Sequence, residues 1–256
     1  MSDLLFGIHP VLEALLAGRR TVTRVVIAES RRDARMRQIV EAGRKAGVPV
    51  QFQPDRAVDR LAAGEAHQGV VAVVAGAAYA DAEDLLAAAG PRTLFVVLDG
   101  VEDPRNLGAV IRTAAAAGAD GLFIPERGAA GLTPVAVKAS AGLAERLPVA
   151  RVTNIVALLK SMKERNIWVA GLDAEGGEPW TSFDLTVPVA LVFGGEGRGL
   201  RRLARETCDV VLSVPLAAGV ESLNLAVAAG VVLFEVVRQR GGQASGEAGG
   251  GRRADR

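Results

Sequence analysis

Three short stretches of the chain concentrate the residues that could do chemistry. The first, Asp99–Thr113, reads DGVEDPRNLGAVIRT and carries Asn106 and Arg112. The second, LVFGGEGRGL at 191–200, carries Gly194, Gly195 and Glu196. The third, VPLAAGVESLNLAVAA at 214–229, carries Val214, Leu216, Ser222, Leu223 and Asn224. Glycines after an apolar run let backbone approach a ligand closely and tolerate positive φ. A polar pair such as Ser222 and Asn224 at a helix start is a natural place for a phosphate or another polar ligand. A guanidinium in an Ala-rich helix is costly if it turns inward without a partner, which favours a working role for Arg112.

Each stretch also has a plainer reading. The glycines could make only a tight strand-to-helix turn, and Asn106 could be an ordinary helix cap. Arg112 could join a surface ion pair, and Ser222 with Asn224 could cap a buried helix. If Asn106 caps its helix, Arg112 lies six residues on, about 120° away in projection, and can still reach the same crevice. The glycine turn fails the dinucleotide fingerprint, because G-x-G-x-x-G counted from Gly195 needs glycine at 200 and Leu200 stands there. No G-K-[ST] follows, so a phosphate loop is excluded.

The elements that must position these groups fall into three regions. Residues 1–76 predict a small α/β unit: helix Pro10–Leu16, strand Arg24–Ala28, helix Asp33–Ala46, strand Val48–Phe52, a short helix near Asp55–Leu61 and strand Val70–Val74. Residues 77–93 predict a connector with one acidic helix, ending in Gly90-Pro91. Residues 94–240 carry apolar runs at 94–98, 121–125, 167–171, 189–193 and 209–214 with helices between them. That alternation predicts a mostly parallel sheet with both faces covered. Ligands then sit beyond the carboxyl ends of the strands. The tail 241–256, GGQASGEAGGGRRADR, has no apolar periodicity and is expected to be disordered.

Bulk properties narrow the function classes. Half of the 256 residues are hydrophobic and only 4% aromatic, so the core must be built from Val, Leu, Ile and Ala. The net charge of +1 is close to neutral, yet residues 19–45 hold nine basic residues (Arg19, Arg20, Arg24, Arg31, Arg32, Arg35, Arg37, Arg44, Lys45) against Glu29, Asp33 and Glu41. Such a local surface suits phosphate, although a solvated helix explains it equally well. The single cysteine, Cys208, and two distant histidines leave no metal cluster in the sequence, so no metal is expected. MSDLLFGIHP lacks signal-peptide character, and Leu225–Phe234 is shorter than the ~20 residues of a membrane helix. A cytoplasmic protein is expected.

In this order and at these distances, DPRNLGAVIRTA, LVFGGEGRGLRRL and VPLAAGVESLNLAVA, followed by LFEVVRQR, resemble the three motifs of the SpoU (TrmH-type) branch of the SPOUT superfamily. These are S-adenosylmethionine-dependent RNA ribose 2′-O-methyltransferases. The resemblance covers about 94–240. GIHPVLEALL near the start and AHQGVVA at 66–72 resemble the family's ribosomal-protein-L30e-like substrate-binding domain. The resemblance implies an α/β fold with a C-terminal SPOUT domain, a parallel sheet and a C-terminal trefoil knot, plus the small L30e-like domain. It implies Asn106, Arg112, Glu196, Ser222 and Asn224 as catalytic residues. It also implies S-adenosylmethionine gripped by backbone around Gly194, Val214 and Leu223 and lined by the loops that carry Gly195 and Leu216. The implied partners are RNA, with a guanosine ribose of large-subunit ribosomal RNA as target, and a second copy of the chain, with Leu223–Arg240 as interface helix. His9 and His67 are candidate RNA contacts, and His67 could equally be a turn residue.

One departure is visible: the family's Asn-Val-Ser-Val-Ala appears as Asn224-Leu225-Ala226-Val227-Ala228, losing a hydroxyl. An arginine, with a pKa above about 12, is a poor general base. Arg112 is therefore expected to stabilise developing alkoxide charge and anchor an RNA phosphate. Readings that compete are a transfer-RNA methyltransferase, an adenosine-directed drug-resistance methyltransferase, a non-catalytic RNA binder of the same fold, and a dinucleotide oxidoreductase.

Overall fold

In the computed structural model, residues 2–76, 78–197 and 199–241 are described. Positions 242–256, where a disordered tail is expected, lie outside them. The N-terminal part folds as β1 (Ser2–Phe6), α1 (Ile8–Ala17), β2 (Val22–Ala28), α2 (Ala34–Lys45), β3 (Val50–Gln53), α3 (Asp55–Ala62) and β4 (Val70–Ala75). Its four strands run in the order β1-β4-β2-β3, and β4 is antiparallel to both neighbours. Strand β1 is absent from the sequence reading. It pairs Ser2–Phe6 with Ala75–Val71, and its Leu5 is buried. The pleat sends alternate residues to opposite faces. Val25, Ile27, Val70, Ala72 and Val74 meet α1 and α2, while Val26, Ala28 and Val71 meet α3.

After α4 (Ala82–Ala87) come β5 (Leu94–Asp99), α5 (Pro104–Ala116), β6 (Gly121–Pro125), α6 (Pro134–Ala139), a 3-10 turn (Leu143–Glu145), β7 (Val149–Val152) and α7 (Ile155–Glu164). Then follow β8 (Trp168–Leu172), β9 (Glu178–Pro179), β10 (Val189–Gly194), α8 (Arg202–Thr207), β11 (Val210–Ser213) and α9 (Leu225–Gln239). The expected parallel sheet is present: seven strands in the order β7-β6-β5-β10-β8-β11-β9, every pairing parallel. Edge strands β7 and β9 escape the sequence reading because each is short and partly polar.

The sheet is covered on both sides, again by alternation. Leu94, Val96 and Leu98 pack with α5, α6 and α9. Phe95 and Val97 pack with α4, α7 and α8. The aliphatic core expected from composition also holds an aromatic pair, Phe95 and Phe123, edge to face at 5.2 Å. Fully burying one such side chain stabilises the fold by roughly 1.5–3 kcal/mol. Gly108 allows α5 to lie hard against α6, since a Cβ there would stand 2.3 Å from the Ala136 carbonyl oxygen.

The segment 78–89 is tied to this sheet. Ala80 bridges Ala150, the Tyr79 hydroxyl accepts from the Leu132 N–H, and Leu86 is buried. Among the described residues, no helix is long and apolar enough to cross a membrane.

The chain order positions the site. From β5 the chain winds outward to β6 and β7, then crosses to β8 on the other side. It returns inward to β10, leaves again to β11, and finally sends α9 back onto α5. Strands β5 and β10 are neighbours from which the chain departs in opposite directions. Their carboxyl ends therefore open a crevice of the kind that binds ligands in α/β sheets.

Candidate active site at the carboxyl ends of β5, β10 and β11

Asp103, not Asn106, caps α5. Its carboxylate accepts from the Arg105 N–H at 2.8 Å, and Pro104 follows in the first turn. This corrects the expected cap and frees the Asn106 side chain. Similarly, Asn224 caps α9, its Oδ1 accepting from the Ala226 N–H at 2.9 Å. Ser222 therefore stands in the loop before the helix, exposed, rather than at the expected cap.

The freed amides form one chain of hydrogen bonds across the crevice. Asn106 Nδ2 donates to Glu196 Oε1 at 2.6 Å, and Asn224 Nδ2 donates to Asn106 Oδ1 at 3.2 Å. Glu196 Oε2 also accepts from the Glu102 N–H at 3.4 Å. Its direction is set by chemistry. An ionised carboxylate only accepts, so the Asn106 nitrogen must face Glu196 and its oxygen must face Asn224. Asn224 then has its nitrogen committed to Asn106 and its oxygen to the cap. One residue from each of the three motifs is thereby locked in orientation.

Glu196 owes its place to the glycine turn. Gly195 and Gly199 pair across the turn, which closes on itself before α8 begins. A Cβ on Gly194 would stand 2.0 Å from the Gly199 carbonyl carbon, and one on Gly195 would stand 2.7 Å from the Gly100 carbonyl oxygen. Real side chains do not reach such separations, so only glycine fits at either position.

Two residues not expected among the site residues hold the turn. Asp99, buried at the end of β5, accepts from the Arg201 N–H at 3.2 Å and lies 3.5 Å from its guanidinium. Asp173 accepts from the Leu200 N–H at 3.4 Å. The signal for Asp99 was present: a carboxylate closing the otherwise apolar run LFVVLD.

Not every expected residue joins the network. Arg112 lies exposed on α5 and makes no hydrogen bond or ion pair with any described residue. It neither turns inward nor forms a surface ion pair. Ser222 likewise has no hydrogen-bond partner among the described residues. Val214 and Leu216 are half-buried after β11, and Leu223 is 37% exposed. The backbone groups of Leu216 and Leu223 bond to no other described residue.

In the basic stretch, Arg20 is buried against Glu145, which removes it from the expected phosphate-binding surface. Arg19, Arg24, Arg32, Arg35, Arg37 and Arg44 are exposed. His67 accepts from the Gly69 N–H and lies 3.0 Å from Asp59, so it serves the turn. His9 is exposed.

Fold and site together define an α/β protein with a switch-point crevice where backbone, amides and a carboxylate converge. Comparison with known proteins gives the class a name. Residues 93–234 match the SpoU rRNA methylase family, and residues 4–80 match the RNA 2′-O ribose methyltransferase substrate-binding family. The chain belongs to the SpoU family of RNA methylases.

Among its relatives, the 23S rRNA (guanosine-2′-O-)-methyltransferase RlmB of Haemophilus influenzae is 43% identical over 94% of this chain and 99% of its own length. A Bacillus subtilis protein named for the TrmH family of tRNA/rRNA methyltransferases is 44% identical over 93% of this chain and 96% of its own. The crystal structure of the SpoU methyltransferase AviRb from Streptomyces viridochromogenes, in complex with AdoMet, superposes with a TM-score of 0.79. It is 29% identical and covers 93% of this chain and 90% of that one.

Proposed function

We propose that the protein methylates the ribose 2′-oxygen of a guanosine in large-subunit (23S) ribosomal RNA, with S-adenosylmethionine as methyl donor. The observation that carries this reading is the hydrogen-bonded chain Glu196–Asn106–Asn224, which joins all three motifs at the crevice. The fit of the cofactor rests on the loops themselves. Leu216 and Leu223 offer backbone donors and acceptors with no partner among the described residues, Val214 adds apolar surface, and Gly194 and Gly195 let the turn that carries Glu196 close tightly at the crevice. Such a set suits a purine and a short polar chain. When bound, the cofactor supplies an electrophilic methyl group on a sulfonium.

The chain's own residues act on the other reactant. A ribose hydroxyl is a weak nucleophile until its proton is lost or polarised. Arg112, with all its donors unengaged by described residues, anchors a phosphate next to the target ribose and stabilises negative charge growing on the 2′-oxygen. That phosphate relays the proton onward to solvent, since an always-protonated guanidinium cannot accept it. Asn106, Asn224 and Glu196 orient the nucleotide, and Ser222 offers a free hydroxyl to it.

The same reading extends to the rest of the molecule. Residues 1–76 form the L30e-like RNA-selecting domain, 77–93 the linker and 94–240 the SPOUT methyltransferase domain. The return of the chain to β10 between β5 and β8, with α9 folding back on α5, supports the trefoil knot. Val227 and Phe234, 53% and 51% exposed along one side of α9, support a homodimer through this helix. The work is placed in the cytoplasm, with the ribosomes.

The test is methyl transfer from labelled S-adenosylmethionine to unmodified ribosomal RNA and transfer RNA in parallel, with the labelled nucleotide mapped. Label at one guanosine of the large-subunit RNA is expected. Label on transfer RNA would overturn the substrate, and label on an adenosine would overturn the base.

A further inference from the structure

We propose that the cavity between the turn joining α1 to β2 and the β7 edge of the seven-stranded sheet binds a guanine base, a subsite that deepens the RNA-directed reading above and rests on it. None of its lining residues belongs to the three motif loops, so it is separate from the reacting nucleotide.

The cavity has a volume of about 300 Å³ and apolar walls that include Leu85, Leu132 and Val149. That size is at the small end of ligand pockets. Set into these walls are two charged side chains, Arg20 and Glu145, which are only 4% and 5% exposed. They come no closer than 3.6 Å, Nε to Oε1, which is outside hydrogen-bond reach for that pair. Arg20 Nε has no hydrogen-bond partner, and neither the rest of the guanidinium nor the Glu145 carboxylate bonds to a described residue.

A purely structural pair at this depth would close into a two-pronged contact, because buried charges are tolerated when paired and hydrogen-bonded. This pair stays 3.6 Å apart instead, with no hydrogen bond from either side chain to a described residue. Burial pushes the Glu145 carboxyl above its usual range, and the nearby Arg20 and Arg19 offset this only in part. N–H donors brought to Glu145 would stabilise its ionised form.

The group that satisfies both must be flat and apolar on its faces, with two acceptors beside two donors on its edge. Guanine has this pattern. Its O6 and N7 accept from an arginine fork, and its N1–H and N2–H₂ donate to a carboxylate. Adenine and cytosine each present only one donor group on the Watson–Crick edge, with a ring-nitrogen acceptor beside it, so the carboxylate would keep an open position. Splayed single-stranded bases are read on these edges. Arg19, exposed and also lining the cavity, is placed for the attached phosphate. The base could come from a second nucleotide of the RNA or from a free guanine nucleotide.

Calorimetric titration of the full-length protein tests this, with S-adenosylhomocysteine saturating the cofactor site. The probes are GMP, IMP, AMP and a short single-stranded oligoribonucleotide with one guanosine. Two variants accompany the wild type: Glu145→Gln, and Ala78→Trp at an exposed position on the cavity wall. Guanine binding is expected with at least tenfold preference over IMP and AMP. It should weaken at least tenfold in Glu145→Gln and be lost in Ala78→Trp, whose unfolding midpoint should match wild type. If Glu145→Gln does not fold, Ala78→Trp alone decides.

An oligonucleotide that binds more tightly than GMP and is displaced by it identifies the RNA chain as source. GMP binding that the oligonucleotide cannot displace identifies the free nucleotide. No guanine preference with either probe, or guanine binding that survives Ala78→Trp, overturns the proposal. Methyl transfer is measured separately, so a failed subsite leaves the catalytic reading standing, and the reverse holds too.

Discussion

Replacing Asn106 separates an orienting hydrogen-bond network from a merely space-filling residue. Asn106→Ala removes a hydrogen bond to a charged acceptor, worth about 1.5–3 kcal/mol, and one neutral bond of about 1 kcal/mol. Both lie at a partly solvated site, so about 2 kcal/mol of lost alignment is expected, a fall in kcat/KM of about 30-fold. Asn106→Asp keeps the shape but sets a second carboxylate where a donor stood 2.6 Å from Glu196. Two unit charges at that distance repel by about 1.6 kcal/mol even in the dielectric of water. The isosteric Asp should therefore be worse than Ala by a further factor of about ten or more.

The assay is single-turnover methyl transfer to unmodified large-subunit RNA, with the unfolding midpoint measured alongside. A packing role predicts the opposite order, with Asp close to wild type and Ala impaired. That order, or activity within threefold of wild type for both variants, would refute the reasoning.

Four further outcomes follow from the same geometry. Arg112→Lys should lose most of its activity while binding cofactor normally, because a point charge cannot replace a planar fork on phosphate; near-normal turnover would contradict it. Gly194→Ala would put a Cβ 2.0 Å from the Gly199 carbonyl carbon, so the turn must open and cofactor affinity should fall at least tenfold by calorimetry. Cys208, its thiol pushed by burial from 9.0 to about 11, should be alkylated by iodoacetamide at pH 8 about 100-fold more slowly in the folded protein than in urea, with the native rate still rising above pH 9. Phe234→Glu on α9 tests the proposed dimer: the wild type should sediment as a dimer and the variant as a folded monomer; a monomeric wild type would remove the dimer, and an unchanged dimer mass in the variant would remove α9 from its interface.

Much of the fold is legible because burial leaves a period in the sequence. The run LFVVL is buried on both faces and reads as a central strand, whereas β7, with Arg151 exposed among VARV, does not. Strand β1 is hidden because a five-residue terminal segment offers too little pattern. Caps are ambiguous where several capping residues cluster. In EDPRN the Asp before proline takes the cap, and in ESLN the Asn does, its oxygen capping α9 while its nitrogen bridges to Asn106.

The site's residue types are visible in the motifs, but their meeting is a tertiary fact. Glu196 and Asn106 lie 90 positions apart and touch only because β5 and β10 are neighbours. Arg20 is the clearest misreading. Counted among surface arginines, it is buried, because its partner Glu145 lies far along the chain on the other sheet's side of the cavity.

The most direct test of the central claim is the chemical position of the transferred methyl group. Labelled methyl is transferred to unmodified large-subunit RNA, and the product is hydrolysed completely in alkali. Alkaline cleavage needs a free 2′-hydroxyl, so 2′-O-methylation protects the next linkage. Ribose methylation predicts label in alkali-stable dinucleotides with guanosine on the 5′ side, strongly reduced with Arg112→Lys. Label in mononucleotides would place the methyl on a base and contradict the account.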